Sequence, residues 1–174
     1  TLASNCGKGE ALRVGFAHGR GQYLGFIDAD GDLAPSLWHP FLELMRLYEA
    51  DVVLGSKRHP LSEVTYPRLR RVYSWAFQQL VRVLFRLRVR DTQTGIKLIR
   101  REVLAAVLPR MRERRFAFDL ELFVVARRCG WRRFLEAPVR IEQQFTSTIS
   151  PRSVVRMVVD TLTIALRLHV LRSY

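Results

Sequence analysis

Three carboxylates, Asp28, Asp30 and Asp32, stand at alternate positions in Tyr23-Leu24-Gly25-Phe26-Ile27-Asp28-Ala29-Asp30-Gly31-Asp32-Leu33. Carboxylates this close repel, and burying them without partners is costly. A divalent cation removes the conflict, because Mg2+ and Mn2+ take hard oxygen ligands and leave positions open for substrate phosphates. The plainer alternative is a polar turn closing a strand, since Asp and Gly favour turns. A calcium loop of the EF-hand type needs Gly after the third Asp and Glu at its twelfth position. Here those positions hold Leu33 and His39, which excludes it.

Elements of two kinds must position these groups. Tyr23 to Ile27 is a short apolar run and reads as a buried strand with the acidic turn at its end. Asp51 to Arg58 reads as a second buried strand ending in Gly55-Ser56-Lys57-Arg58. Before the first strand, Gly7-Lys8-Gly9 forms a loop that suits an approaching phosphate, and Ala11 to His18 reads as a short helix. Pro35-Ser36 opens another helix, whose stripe Leu37, Phe41, Leu44, Met45 and Tyr48 is expected in the core. Strands alternating with helices predict an α/β sheet, with ligands at the carboxyl ends of its strands.

Val72 to Val89 reads as a long helix with a narrow polar stripe of Ser74, Gln78, Arg82 and Arg86. Its wide apolar circumference suits a membrane interface, with arginines reaching headgroups; a partner helix or oligomer contact is the alternative. The polar loop from Asp91 runs into a strand near Leu98, followed by a helix near Arg101 to Leu108. Phe116-Ala117-Phe118-Asp119 opens a further helix with Asp119 as its expected N-cap, and Gly130 ends it. Phe134 to Ile141 reads as an edge strand because it contains Pro138. From Ser150-Pro151 a last amphipathic helix runs towards Leu171, with a polar stripe of Arg156, Asp160, Thr163 and Arg167.

At 174 residues and 48% hydrophobic content, the chain is long enough for one domain with a real core. The net charge of +13 calls for an anionic partner: nucleic acid, anionic lipid or phosphorylated substrate. Arginine supplies nearly all of that charge, with only Lys8, Lys57 and Lys97 as lysines. Cys6 and Cys129 lack metal-ligand spacing and are expected as reduced thiols in a cytosolic setting. No apolar run reaches the length of a transmembrane helix. The opening at Thr1, without Met, reads as a cut through a larger domain.

Taken in order, five words resemble the inverting family 2 glycosyltransferases of GT-A fold, within them the polyprenyl- or dolichyl-phosphate mannose synthases and glucosyltransferases. They are Asn5 to Gly15, Phe26 to Leu33, Val53 to Arg58, Asp91 to Leu98 and Phe116 to Leu122, with Ala137-Pro138-Val139 matching a late strand. Asp91-Thr92-Gln93-Thr94-Gly95-Ile96-Lys97 and Phe116-Ala117-Phe118-Asp119-Leu120-Glu121 lean towards the glucosyltransferase branch. The resemblance implies a Rossmann-like GT-A mixed sheet flanked by helices, with residues 1–145 as a partial catalytic domain and 146–174 as an amphipathic helix. The family's first strand and Asn-Glu motif would precede Thr1. Lys57 stands where many relatives carry Arg, and Lys lacks the bidentate fork.

The implied reaction transfers a hexose from GDP-mannose or UDP-glucose to a polyprenyl or dolichyl phosphate, with inversion. Asp28, Asp30 and Asp32 would hold Mg2+ or Mn2+ against the donor diphosphate, with Asp30 the principal ligand. Asn5 and Lys8 would touch the donor, as would Asp28 and Asp30. Lys57, Arg58, Arg70 and Arg71 would hold phosphates and neutralise the leaving diphosphate, with Arg71 also a catalytic candidate. Asp91 is the further catalytic candidate; Gln93 and Lys97 would share its pocket, and Asp119 and Glu121 would lie on the sugar or acceptor side. The implied partners are a nucleotide sugar, a polyprenyl-phosphate lipid and the anionic surface of the cytoplasmic leaflet, where the chain would be peripheral. A membrane partner subunit or a homo-oligomer fits the same helices.

Nucleic acid is not expected, because a nucleic-acid module has no use for three clustered aspartates. Two alternatives keep the fold. One is transfer to a soluble or polysaccharide acceptor, although the Gln-x-x-Arg-Trp word of such relatives is absent. The other is an inactive remnant that only binds lipid or a partner.

Overall fold

The computed structural model describes residues 6–64, 68–141 and 151–174, and of residues 68–71, 151 and 153 the backbone only. The expected α/β class is present. Chain contacts divide it into two compact units: Thr1–Leu24 with Arg101–Arg132 and Thr148–Tyr174, and Gly25–Arg100 with Arg133–Ser147. The last helix falls in the same unit as the first.

A four-stranded mixed sheet has the order β1 (Tyr23–Ile27), β3 (Ile96–Arg100), β2 (Val52–Ser56), β4 (Phe134–Pro138). β2 pairs antiparallel with β3, Val53 facing Leu98, and parallel with β4, Val53 facing Leu135. Val52, Val53, Leu54, Ile96 and Ile99 are fully buried, as near-continuous apolar strands in a covered sheet must be. Pro138 ends β4 at the sheet edge, where a missing N–H costs least. After a turn of 3-10 helix at Pro35–Leu37, α2 (Trp38–Leu47) lays Phe41 and Met45, both fully buried, against β2 and β3. Tyr48, expected on that stripe, is 57% exposed, because the helix ends at Leu47 and the stripe does not carry past it.

α3 (Arg68–Phe85) starts before and stops short of its expected limits of Val72 and Val89. Arg86 takes a φ of 51°, in the left-handed region that breaks a helix. Leu87 and Val89 beyond it are both buried, at the two-residue spacing of extended chain rather than the spacing of a helix face. Val81 and Phe85 of α3 are buried, while Val72, Tyr73, Trp75 and Val83 are exposed.

In the first unit, α5 (Phe118–Arg128) is buried from Phe118 to Ala126 and packs against α1 (Lys8–His18) and α4 (Arg101–Val107). The Arg13 guanidinium of α1 donates to the carbonyls of Leu108 and Met111, tying α1 to the end of α4. α6 (Pro151–His169) buries Thr161, Ile164 and Ala165 and exposes Val155, Val159, Leu162 and Leu166. Among the described residues, no helix is long and apolar enough to cross a membrane. Both cysteines are free thiols.

Candidate functional site

The acidic turn sits where β1 ends. The Asp28 N–H donates to the Gly95 carbonyl at 2.7 Å, and its carboxylate lies so close over Gly95 that a Cβ there would come within 2.3 Å of Oδ2. Asp30 is exposed, and its Oδ1 accepts the Asp32 N–H at 3.1 Å, as an Asp folding a turn around itself does. Asp32 is half-buried; its Oδ1 is fully enclosed and has no hydrogen-bond partner among the described residues. Leaving such an acceptor unpaired costs about 1–3 kcal/mol, more for a charged group.

Among the described residues no three His, Cys, Asp or Glu side chains stand together as a metal cage. The turn leads the three carboxylates apart: one over Gly95, one out to solvent, one inward. What is present still fits a metal shared with substrate. Mg2+ is ordinarily held by one or two carboxylates plus phosphate oxygens, and the exposed Asp30 and the unpartnered Asp32 oxygen supply that donor set. Gly95→Ala should push Asp28 and the turn that follows it aside and so weaken Mn2+ binding about tenfold or more, while thermal unfolding still shows one cooperative transition.

Asp91 binds two other sequence-predicted residues, Lys57 and Gln93. Its Oδ2 accepts the Lys57 N–H at 3.1 Å and its Oδ1 the Gln93 N–H at 3.2 Å. The N–H groups of Arg90 and Asp91 in turn donate to Glu136 Oε1 on β4, at 2.9 and 3.2 Å. Asp91 is thus a knot that fixes the chain after β2 to the loop before β3. Sequence reasoning missed Glu136, which carries no local signal inside a strand. A cavity of about 60 Å³ lies here, lined by Ser74, Phe77, Gln78, Val81, Asp91 and Gln93 among others. Gln93 Nε2 and Thr94 Oγ1 are buried without hydrogen-bond partners among the described residues.

Two expected phosphate contacts are committed elsewhere. Arg58 donates to Gln78 and, at 2.9 Å, to Ser74 Oγ, so it holds the polar stripe of α3. Lys97 is fully enclosed, with Nζ donating to the Thr94 carbonyl at 2.7 Å and lying 5.1 Å from the centre of the Phe26 ring. It supports the interior of the sheet rather than facing an open phosphate site, which corrects the expectation. Asn5 lies outside the described residues. Arg70 and Arg71 fall in the first turn of α3, where only the backbone is described.

In the first unit, Lys8 Nζ lies 3.2 Å from Asp119 Oδ2, with the Asp119 side chain 2% exposed. Asp119 is not the N-cap: Ala117 occupies that position without a side-chain cap, and Asp119 sits within the first turn of α5. Lys8 and Gly9, expected in a loop before Ala11, instead open α1 behind its N-cap Gly7, and Gly9 has a packing reason, since a Cβ there would meet Arg114 and Phe118 at 2.8 to 2.9 Å.

Glu121 is the centre of a network that the sequence did not reveal. Its Oε2 accepts the N–H groups of Arg112 and Glu113, at 2.9 and 2.8 Å, and its Oε1 accepts the Tyr174 hydroxyl at 2.6 Å. Arg167 lies 2.6 Å from Glu113 and 3.7 Å from Glu121. Burial, and then the neighbouring Glu121, raise Glu113 above the ordinary 4.5 despite Arg167. Burial and the bond to Glu121 likewise push Tyr174 up. An acid raised on folding holds its proton more tightly in the folded chain, so its share of stability falls as pH rises through and above 4.5. Glu113→Gln should flatten that decline in melting temperature. Arg167→Leu should instead destabilise by about 3 kcal/mol, because two carboxylates then face each other without a cation.

The sequence profile described as Glycosyl transferase family 2 matches residues 1–108. A dolichyl-phosphate beta-glucosyltransferase of Trichomonas vaginalis is 29% identical over 168 residues, 93% of this chain and 50% of that protein. The dolichyl-phosphate beta-glucosyltransferase of Dictyostelium discoideum is 32% identical over 133 residues, 73% of this chain and 41% of that protein. The chain therefore spans about half the length, or less, of these curated relatives. Among solved structures, glucosyl-3-phosphoglycerate synthase of Mycobacterium tuberculosis, in complex with Mn2+, UDP-glucose and phosphoglyceric acid, superposes with a TM-score of 0.67 at 17% identity. That match covers 94% of this chain and 56% of the other, and shows a shared fold.

Proposed function

The chain belongs to glycosyl transferase family 2, and within that family we propose that it serves transfer of glucose from UDP-glucose to a polyprenyl or dolichyl phosphate, with inversion. The observation that carries this reading is the match, over most of the chain, to proteins named dolichyl-phosphate beta-glucosyltransferase. Those names favour glucose over mannose. The two words around Asp91 and Asp119 lean the same way.

The acceptor phosphate is mostly dianionic near pH 7, because the second pKa of a phosphate monoester is about 6. It is already a nucleophile and needs no strong general base. Asp91, whose two carboxylate oxygens each hold a backbone N–H, fits this requirement as a positioning residue. Asp30 and Asp32 would hold Mg2+ or Mn2+, which supplies Lewis-acid stabilisation of the departing diphosphate. Lys57, at the carboxyl end of β2, would neutralise phosphate charge.

A lipid acceptor also gives a use to the exposed apolar residues of α3 and α6. These helices are suited to lie at the cytoplasmic leaflet, with arginines towards anionic headgroups. The test is a donor and acceptor panel with the full-length gene product in detergent. UDP-glucose with polyprenyl phosphate should give the most product. Preference for GDP-mannose would replace the sugar, and preference for glycerol 3-phosphate or phosphoglycerate would replace the acceptor class.

A further inference from the structure

An open groove of about 880 Å³ runs between the loop before α5 and one face of α6. Among the described residues six arginines line it, Arg112, Arg114, Arg115, Arg152, Arg156 and Arg167, against two carboxylates, Glu113 and Asp160. Arg167 is committed to Glu113, and Arg114 lies 3.8 Å from Glu10. Arg112, Arg115, Arg152 and Arg156 remain on the exposed rim. Like charges gathered around one concavity are stabilised by an anion entering it, and guanidinium groups match phosphate oxygens with paired N–H donors.

The groove is not purely polar. Val155 and Val159 form part of its wall and are exposed, at 64% and 54%. Leu162, Leu166 and Val170 continue the exposed line along α6 at helical spacing. From Val155 to Val170 this line extends about 22 Å at 1.5 Å per residue. A ligand that satisfies both parts has an anionic head and a long apolar body. We infer that this groove seats the phosphomonoester head of a membrane lipid, whose chain, with its neighbours in the leaflet, covers the apolar line of α6. A monoester carries nearly two charges near pH 7, against one on a diester, and so repays several arginines better.

Two other occupants fit less well. Single-stranded nucleic acid binds by stacking bases on aromatic rings, and no aromatic residue is among the described lining residues. A second copy of this face across a two-fold axis would set arginine against arginine.

The inference rests on the lipid-phosphate reading above and gives it a place in the fold, and binding is tested without a sugar donor. The full-length protein is mixed with phosphatidylcholine vesicles that are plain, or doped at equal surface charge with phosphatidylserine, phosphatidic acid or polyprenyl phosphate, and binding is read by flotation. Phosphatidic acid and polyprenyl phosphate vesicles should bind at least tenfold tighter than phosphatidylserine vesicles. Arg115→Gln with Arg156→Gln, both on the exposed rim and so compatible with folding, should remove that difference without lowering the melting temperature. Val159→Asp should weaken binding to every vesicle. Soluble glycerol 3-phosphate should compete only at millimolar concentration, because it lacks the apolar body. Equal binding to all anionic vesicles, a preference unchanged by the arginine substitutions, or no vesicle binding at all would overturn the inference. Loss of sugar transfer with the lipid preference intact would count against the proposed reaction alone.

Discussion

Asp30→Ala is expected to reduce sugar transfer about 10²–10³-fold, the loss that follows removal of one preorganised electrostatic contact to a leaving group. The fold should survive, because Asp30 is exposed and its one described hydrogen bond is to Asp32 within the same turn. Asp32→Asn separates two readings of the turn. If Asp32 only shapes the loop, an amide of the same size changes little. With the metal-linked role, the substitution weakens Mn2+-dependent binding of UDP while leaving metal-free stability equal or higher. The enclosed Asp32 oxygen has no hydrogen-bond partner among the described residues, and removing that unpaired charge relieves a cost. Titration of UDP with and without Mn2+, beside thermal unfolding, reads both quantities.

The second large effect is on stability. Lys8→Met should destabilise the chain by about 3–5 kcal/mol, since it takes the Lys8 ammonium away from the Asp119 carboxylate, which is 2% exposed. That corresponds to a fall in melting temperature on the order of 10 °C. Asp119→Leu should cost distinctly less, because Lys8 is 19% exposed and can turn its ammonium to water. The asymmetry is the useful part. A lysine whose only task is to touch the donor would lower activity on substitution and leave the melting temperature where it was.

The strands were the most legible part of the sequence. Tyr23–Ile27 and Val52–Ser56 are short apolar runs and both form strands, but only Val52–Ser56 is buried throughout as expected; Tyr23–Ile27 is an edge strand that buries Phe26 alone. The helices were legible in kind and less so in extent. The stripe on α3 continues past Phe85 in composition, but Leu87 and Val89 alternate, and only the turn at Arg86 distinguishes the two periods. Charged residues were hardest to place. Nothing local separates Lys97, enclosed in the sheet, from a lysine on a strand facing solvent. Asp119 has the residue type of a cap, yet it lies within the first turn of the helix, where Lys8 of α1 supplies a cation. Glu121 and Glu136 act through partners distant in sequence, such as Tyr174 and Arg90, which no spacing rule connects. The acidic turn is the intermediate case: its existence and position were readable from three aspartates, whereas the divergence of their side chains depends on Gly95 and on the turn itself.

The most direct measurement is chloroform-extractable glucose formed from UDP-glucose and polyprenyl phosphate by the full-length protein, with Mn2+ or with chelator, for wild type and Asp30→Ala. The account predicts lipid-linked glucose that requires the metal and falls at least a hundredfold in the variant. Lipid-linked glucose made equally well by Asp30→Ala, or unaffected by chelator, would contradict it.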